Sequence, residues 1–197
     1  MDRAIIFDVG GVLLDYERDS MLRSIADGCL AGTDPEHVSS LIGELDLSGG
    51  EMTLAHFHDE LKQRYDCSLS KERLDEVWVE GLSPRSWVPA FLREVRQKAE
   101  LYILSDTNAE HWQHIADHIL PLDMFSQIFL SHELRMTKKT PAVFNHVLGE
   151  IPYAADACLF IDDTSANIDV ANSVGLRTHH YQDQANLIRE LNTHFGL

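Results

Sequence analysis

The sequence predicts an α/β fold: a Rossmann-like parallel sheet with an inserted small α-helical cap. Three observations point there. Ala4-Ile5-Ile6-Phe7 is a short apolar run that ends on Asp8 and is followed by Gly10-Gly11, which reads as a buried strand closing on a turn. From about residue 100 onward, strand and helix patterns alternate, as they do in a parallel sheet with helices on its faces. Between the first and second strands lies a long helical block, too long for a simple crossover.

Residues 1–14 give the first strand and its glycine turn. Residues from about 17 to 98 read almost wholly as helix. Met21, Leu22, Ile25, Ala26 and Cys29 recur at helical spacing; so do Val38, Leu41, Ile42 and Leu45, then Phe57, Leu61 and Tyr65, then Leu74, Val77 and Trp78. Ser48-Gly49-Gly50 separates the second and third of these helices, and Pro84 and Pro89 precede another around Phe91, Leu92 and Val95. Strands are then expected at 101–104, 128–130, 158–161 and 178–181, with helices near 109–119, 141–149, 165–174 and 184–194. The division that follows is a core of 1–14 and 89–197 and a cap of 15–88.

Composition narrows the function. The chain has 197 residues, with 32 acidic against 16 basic side chains and a formal net charge of −16. Such a surface argues against non-specific binding to nucleic acid or anionic membrane. It leaves room for a small anionic substrate, because a local site can oppose the global field. The three cysteines, Cys29, Cys67 and Cys158, form no CxxC pair, which predicts reduced thiols and a cytoplasmic protein. No signal peptide and no membrane span is expected.

The chemistry is expected at the strand ends. Asp8 ends the first strand, Ser105-Asp106-Thr107-Asn108 the second, and Asp162-Asp163 the fourth. In a parallel sheet these ends share one edge, where ligands bind. Carboxylates converging there repel one another, a cation relieves this, and hard oxygen ligands favour Mg²⁺. The Ser105 hydroxyl and the free N–H groups at the start of the helix near Ala109 make an anion site, to which Lys138 or Lys139 can add positive charge.

These four segments resemble the motifs of the haloacid dehalogenase-like hydrolase superfamily. Asp8-Val9-Gly10-Gly11-Val12 resembles its nucleophile motif, and Leu104-Ser105-Asp106-Thr107-Asn108 its second. Leu130 through Phe144 resembles the lysine motif, and Phe160 through Asn167 the acidic one. The helical insert is similar to the family's C1-type cap, and the subgroup most resembled contains sugar-phosphate phosphatases, glucose-1-phosphate phosphatase-like proteins among them. The resemblance implies a Mg²⁺-dependent phosphatase of a small phosphorylated metabolite, with Asp8 as the nucleophile that becomes an aspartyl-phosphate. It implies Mg²⁺ held by Asp8, the Gly10 carbonyl and Asp163, with Asp162 bound directly or one shell out. It implies phosphoryl oxygens held by Ser105 and a lysine, for which Lys138 is preferred over Lys139. Gly10, Gly11, Asp106, Thr107 and Asn108 would line the substrate.

Two departures from the family pattern stand out. An aspartate usually occupies position 10 as general acid and base, but this chain has Gly10, and Glu51 is one candidate substitute. Asp106 stands where asparagine is usual, which suits a phosphate neighbour only if the side chain turns away. Two other functions compete. A 2-haloacid dehalogenase uses the same aspartate against carbon without a metal, and a catalytically weak binding or regulatory domain would keep the site without the acid. His111, His114 and His118 share a helical face but lack the companions of a zinc site, and His179-His180 reads as structural.

Overall fold

The computed structural model describes the backbone of residues 3–195. Residues 1, 2, 196 and 197, which fall within the expected core boundaries, lie outside the described residues. Five parallel strands form the sheet in the order β5-β4-β1-β6-β7. They are β1 (Ala4–Phe7), β4 (Glu100–Ser105), β5 (Gln127–Leu130), β6 (Cys158–Asp162) and β7 (Arg177–His180). The register sets Ile6 beside Tyr102 and Phe160, so β1 is the central strand.

Alternation along the strands explains why both faces are covered. Ile5, Phe7, Leu101, Ile103, Leu159 and Ile161 face one way and pack with Phe91, Leu92 and Val95 of α5 (Val88–Val95) and Leu187 and Leu191 of α10 (Gln184–Phe195). Ala4, Ile6, Tyr102, Leu104, Cys158 and Phe160 face the other way. They meet Val143, Phe144 and Val147 of α8 (Pro141–Glu150) and Ile168 and Ala171 of α9 (Ser165–Ser173). The remaining core helices are α6 (Ala109–His118) and the short α7 (Ser131–Leu134).

Helices α1 (Arg18–Asp27), α2 (Pro35–Glu44), α3 (Leu54–Tyr65) and α4 (Lys71–Glu80) follow β1 and enclose a cluster of their own, centred on Met21, Ile25, Val38, Leu41, Phe57, Leu61, Leu74 and Trp78. Their starts are encoded locally. Asp34 caps α2 with a box closed by His37, Thr53 caps α3, and Ser70 caps α4, each accepting a backbone N–H.

Two expectations need correction. Residues 17–98 are not wholly helical up to the sheet: β2 (Leu14–Tyr16) and β3 (Leu82–Pro84) pair antiparallel where the chain leaves and re-enters the core. Arg85 pins that junction, bonding Asp15, the Val12 carbonyl and the Tyr181 hydroxyl. The cysteines are not all reduced thiols either. Cys29 and Cys67 are joined as a disulfide with Cα atoms 3.8 Å apart, and Cys158 is free and buried. Among the described residues, no helix is long and apolar enough to cross a membrane.

The helical block is fastened to the core in two places. Trp78 stacks on His111 at 5.0 Å, and its indole N–H donates to Asn108 Oδ1 at 3.2 Å. The Trp78 carbonyl lies 2.7 Å from His111 Nε2. On the other side, the Ser131 hydroxyl donates to the Ser48 carbonyl, and a side chain at Gly50, whose φ is +75°, would collide with the His132 backbone.

Burial pushes the His111 imidazole down to about 4. The unfolded chain therefore takes up the proton first, and stability falls as pH drops from about 6.5 towards about 4. Measured by urea titration, the stability of the parent relative to His111→Gln should fall by about 2 kcal/mol between pH 7.5 and pH 5. An unchanged pH slope in that variant would remove His111 as its cause.

Candidate active site

Because β4 and β6 flank β1 and run parallel to it, their carboxyl ends bring Asp8, Ser105-Asp106 and Asp162-Asp163 to one edge of the sheet. Asp8 is tied to β6 by its N–H, which donates to the Ile161 carbonyl at 2.9 Å. A cavity of about 390 Å³ opens there, lined by Asp8, Gly10, Gly11, Tyr16, Asp106, Lys138, Lys139, Asp163, Thr164 and Asn167.

Lys138 sits at its floor, 2% exposed, with Nζ 2.7 Å from Asp8 Oδ1 and 2.7 Å from Asp162 Oδ2. Burial alone would lower the Lys138 ammonium, but Asp8, Asp162 and Asp106 outweigh it and hold the group above its ordinary value. Burial pushes Asp8 up to about 7, against the pull of Lys138 and with a push from Asp162. Lys139 is exposed at the cavity rim. Of the two lysines, the geometry thus puts only Lys138 between the carboxylates.

Asp8, Asp162 and Asp163 each offer an oxygen within 4.8 Å of the others. The Gly10 carbonyl accepts no backbone hydrogen bond among the described residues, because the turn consumes the carbonyls of Val9 and Leu14 instead. This donor set of hard, mostly anionic oxygens fits Mg²⁺. The expectation for Asp162 needs refinement. It is fully buried, its Oδ2 meets Lys138, its Oδ1 accepts the Thr164 N–H at 2.7 Å, and Asn167 Nδ2 lies 3.2 and 3.1 Å from its two oxygens. Asp8 and Asp163 are the carboxylates of the trio that face the cavity. Burial, reinforced by Asp162, raises Asp163 above the usual carboxylate range.

The glycines differ in what they are for. Gly11 has φ +73°, and a Cβ there would overlap the Asp163 carboxylate, so the turn requires it. A Cβ on Gly10 meets nothing within 4 Å. The bare space beside Asp8 is therefore not imposed by the backbone.

Ser105 is buried at the end of β4, and its hydroxyl is bonded to no other described residue. The Asp106 carboxylate turns toward the lysine loop and accepts the Lys138 N–H at 3.1 and 3.2 Å. Thr107 and Asn108, expected at the substrate, have partners within the protein. The Thr107 N–H donates to Ser131 Oγ at 2.9 Å, and the Asn108 side chain caps α6 and accepts from Trp78. Asn108 meets the helical block through Trp78 and Thr107 meets α7 through Ser131; like Ser105, neither is among the residues that line the cavity. Glu51 is exposed and lies outside the cavity lining.

The sequence reading passed over Tyr16 as a cavity wall, Thr164 as a clamp on Asp162, and His180, whose Nε2 lies 2.9 Å from the Asp163 carbonyl. Tyr16 and His180 reach the site only through tertiary packing. The Thr164 N–H two residues after Asp162 was a local signal that could have been read. His114 and His118 meet edge to face on α6, and no metal-ligand trio other than the aspartates occurs among the described residues.

The chain is similar to known proteins along most of its length. A family model described as haloacid dehalogenase-like hydrolase matches residues 3–175. The chain is 25% identical to a D-ribitol-5-phosphate phosphatase of Bacteroides thetaiotaomicron, with 97% of each chain covered. It is 28% identical to a sesquiterpene phosphatase of Aspergillus oryzae over 111 residues, 56% of this chain and 57% of that one. A crystal structure of a HAD family enzyme from B. thetaiotaomicron in complex with magnesium superposes with a TM-score of 0.84 at 25% identity, over 95% of this chain and 98% of that chain.

Proposed function

This chain belongs to the haloacid dehalogenase-like hydrolase family, and from that premise we propose the following reading of its activity and site. It is a Mg²⁺-dependent phosphatase of a small phosphorylated metabolite. The observation that carries this is Asp8 at the cavity floor, beside Lys138 on one side and the cavity-facing Asp163 on the other.

Asp8 acts as nucleophile on phosphorus, and the phosphoryl group passes to its carboxylate before water releases it. Asp8, the Gly10 carbonyl and Asp163 would hold Mg²⁺, which when bound would neutralise charge on the phosphoryl oxygens. Asp162 holds Lys138 in place from one shell out. Lys138 and the free hydroxyl of Ser105 receive the remaining phosphoryl oxygens as charge develops in the transition state. Residues 15–88 act as a cap, and Tyr16 contributes one wall of the cavity.

For the substrate we propose a sugar or polyol phosphate. The lining includes Asp106, Lys139, Thr164 and Asn167, groups that can pair with several hydroxyls, and the relative from B. thetaiotaomicron is named for a polyol phosphate. A 2-haloacid dehalogenase needs no metal, and the carboxylate trio speaks against it.

A panel of phosphorylated sugars and polyols, assayed with Mg²⁺ and after EDTA, tests the proposal. Phosphate release is expected only with Mg²⁺ and should return when the metal is added back. Activity that survives EDTA, or halide release from chloroacetate, would overturn it. Tight binding of beryllium fluoride with no turnover on any ester would favour a binding domain instead.

A further inference from the structure

We propose that Asp106 is the proton donor to the leaving group, and the base for the attacking water, in a site whose position 10 carries no side chain. The inference rests on the reading of Asp8 as the phosphoryl acceptor.

An alkoxide is a poor leaving group, and the site needs an acid to protonate it. The acidic groups around the cavity can be eliminated in turn. Asp8 makes the bond to phosphorus. Asp162 is fully buried and saturated by Lys138, Thr164 and Asn167. Asp163 belongs to the metal set. The Tyr16 hydroxyl donates to Met21 Sδ at 3.7 Å, on the side of the helical block, and burial pushes this phenol up to about 12. Asp106 remains. It lines the cavity with Asp8 and forms no ion pair within 4.0 Å among the described residues. Its one hydrogen-bond donor is the Lys138 backbone N–H, which leaves lone pairs for a ligand.

The charged groups around Asp106 are Lys138, Asp162 and Lys139; burial is the largest influence, and the carboxyl stands above its ordinary range despite both lysines. That favours the protonated form an acid needs. Gly10 lines the same cavity as Asp8 and Asp106, and a Cβ there would meet nothing within 4 Å, which leaves room for the leaving group.

The steps balance. A carboxylate oxygen of Asp8 bonds to phosphorus while the phosphorus–oxygen bond to the leaving group breaks. The Asp106 carboxyl proton moves to that oxygen, giving a neutral alcohol and an Asp106 carboxylate. In the second step Asp106 takes a proton from water as the water oxygen bonds to phosphorus. The bond from phosphorus to Asp8 then breaks, and inorganic phosphate leaves.

Asp106→Asn separates this role from mere positioning, because the amide carbonyl still accepts the Lys138 N–H but carries no transferable proton. For an alkyl phosphate such as ribitol 5-phosphate, kcat/KM should fall on the order of 10²–10⁴-fold. For p-nitrophenyl phosphate, whose leaving group needs no proton, the fall should be far smaller. Gly10→Asp, for which the backbone has space, should restore part of the alkyl-phosphate activity when added to Asp106→Asn. Equal losses for both esters, or no loss for either, while Asp8 still becomes phosphorylated, would overturn the role of Asp106 alone. The same leaving-group signature in Lys139→Met rather than Asp106→Asn would transfer it to that lysine. If no aspartyl-phosphate forms in the wild-type chain, the reading of Asp8 fails first and this inference fails with it.

Discussion

Asp8→Asn is expected to reduce phosphate release by roughly 10⁴–10⁶-fold, the scale seen when a covalent nucleophile is removed. The folded state should hardly notice. Asp8 is 8% exposed, and burial together with Asp162 pushes its carboxyl up to about 7. Its folded pKa lies above the unfolded value of 3.8, so the folded form binds the proton more tightly. Stability from this group is present at low pH and lost as pH rises from about 4 to about 7. Above pH 7 the ionised Asp8 is therefore a burden on the fold, and a neutral isostere relieves it. The Asp8→Asn protein should melt at the same temperature as the parent or higher at pH 8 without metal. Thermal denaturation and a phosphate-release assay on one preparation check both halves. Residual turnover above one part in a thousand of the parent would move the nucleophile elsewhere.

Much of this site was legible in the sequence because its residues are bound to strand ends. A run such as Cys158-Leu159-Phe160-Ile161 can only be a strand buried on both faces, so the acids that follow must lie at the sheet edge. Gly11 could be read as turn chemistry, and the structure agrees, since its φ is +73°. The same reading set Thr107 and Asn108 beside the substrate, while the structure gives both of them partners within the protein. Nothing in Ser105-Asp106-Thr107-Asn108 says which of four consecutive polar residues faces the ligand. That is decided by Ser131, which takes the Thr107 N–H, and by Trp78, which takes Asn108. The strands β2 and β3 were hidden for a related reason. Each has three residues, one ends in proline, and their pairing joins positions nearly seventy apart, so no local period announces them. Cys29 and Cys67 meet because the segments that follow α1 and α3 bond to each other, the Leu30 N–H to the Tyr65 carbonyl and the Ser68 N–H to the Gly28 carbonyl, a contact invisible to spacing.

Lys138→Met should be the most destabilising single change at the site. The ammonium is 2% exposed and lies 2.7 Å from each of two buried carboxylates. Its Nζ also lies 5.9 Å from the Phe160 ring centroid, and methionine keeps an unbranched apolar stem while removing the charge. Removing one partner of a buried ion pair costs about 3–5 kcal/mol, because the charge left behind is uncompensated. Here two are left, adjacent and mutually repelling. The fold can escape by protonating Asp8, whose folded pKa already stands above its unfolded value. Stability should then rise more steeply than in the parent as pH falls from 8 to 5, because in the parent the gain through Asp8 is offset by the loss through His111. Urea titrations at several pH values check the sign. Adding Asp162→Asn to Lys138→Met should recover much of the loss, as expected for residues in one network. Phosphatase activity should stay low in the double variant, because a phosphoryl group in the transition state still lacks its cation. Full activity in the stabilised double variant would show that Lys138 holds the fold alone and that the phosphoryl charge is neutralised by other groups.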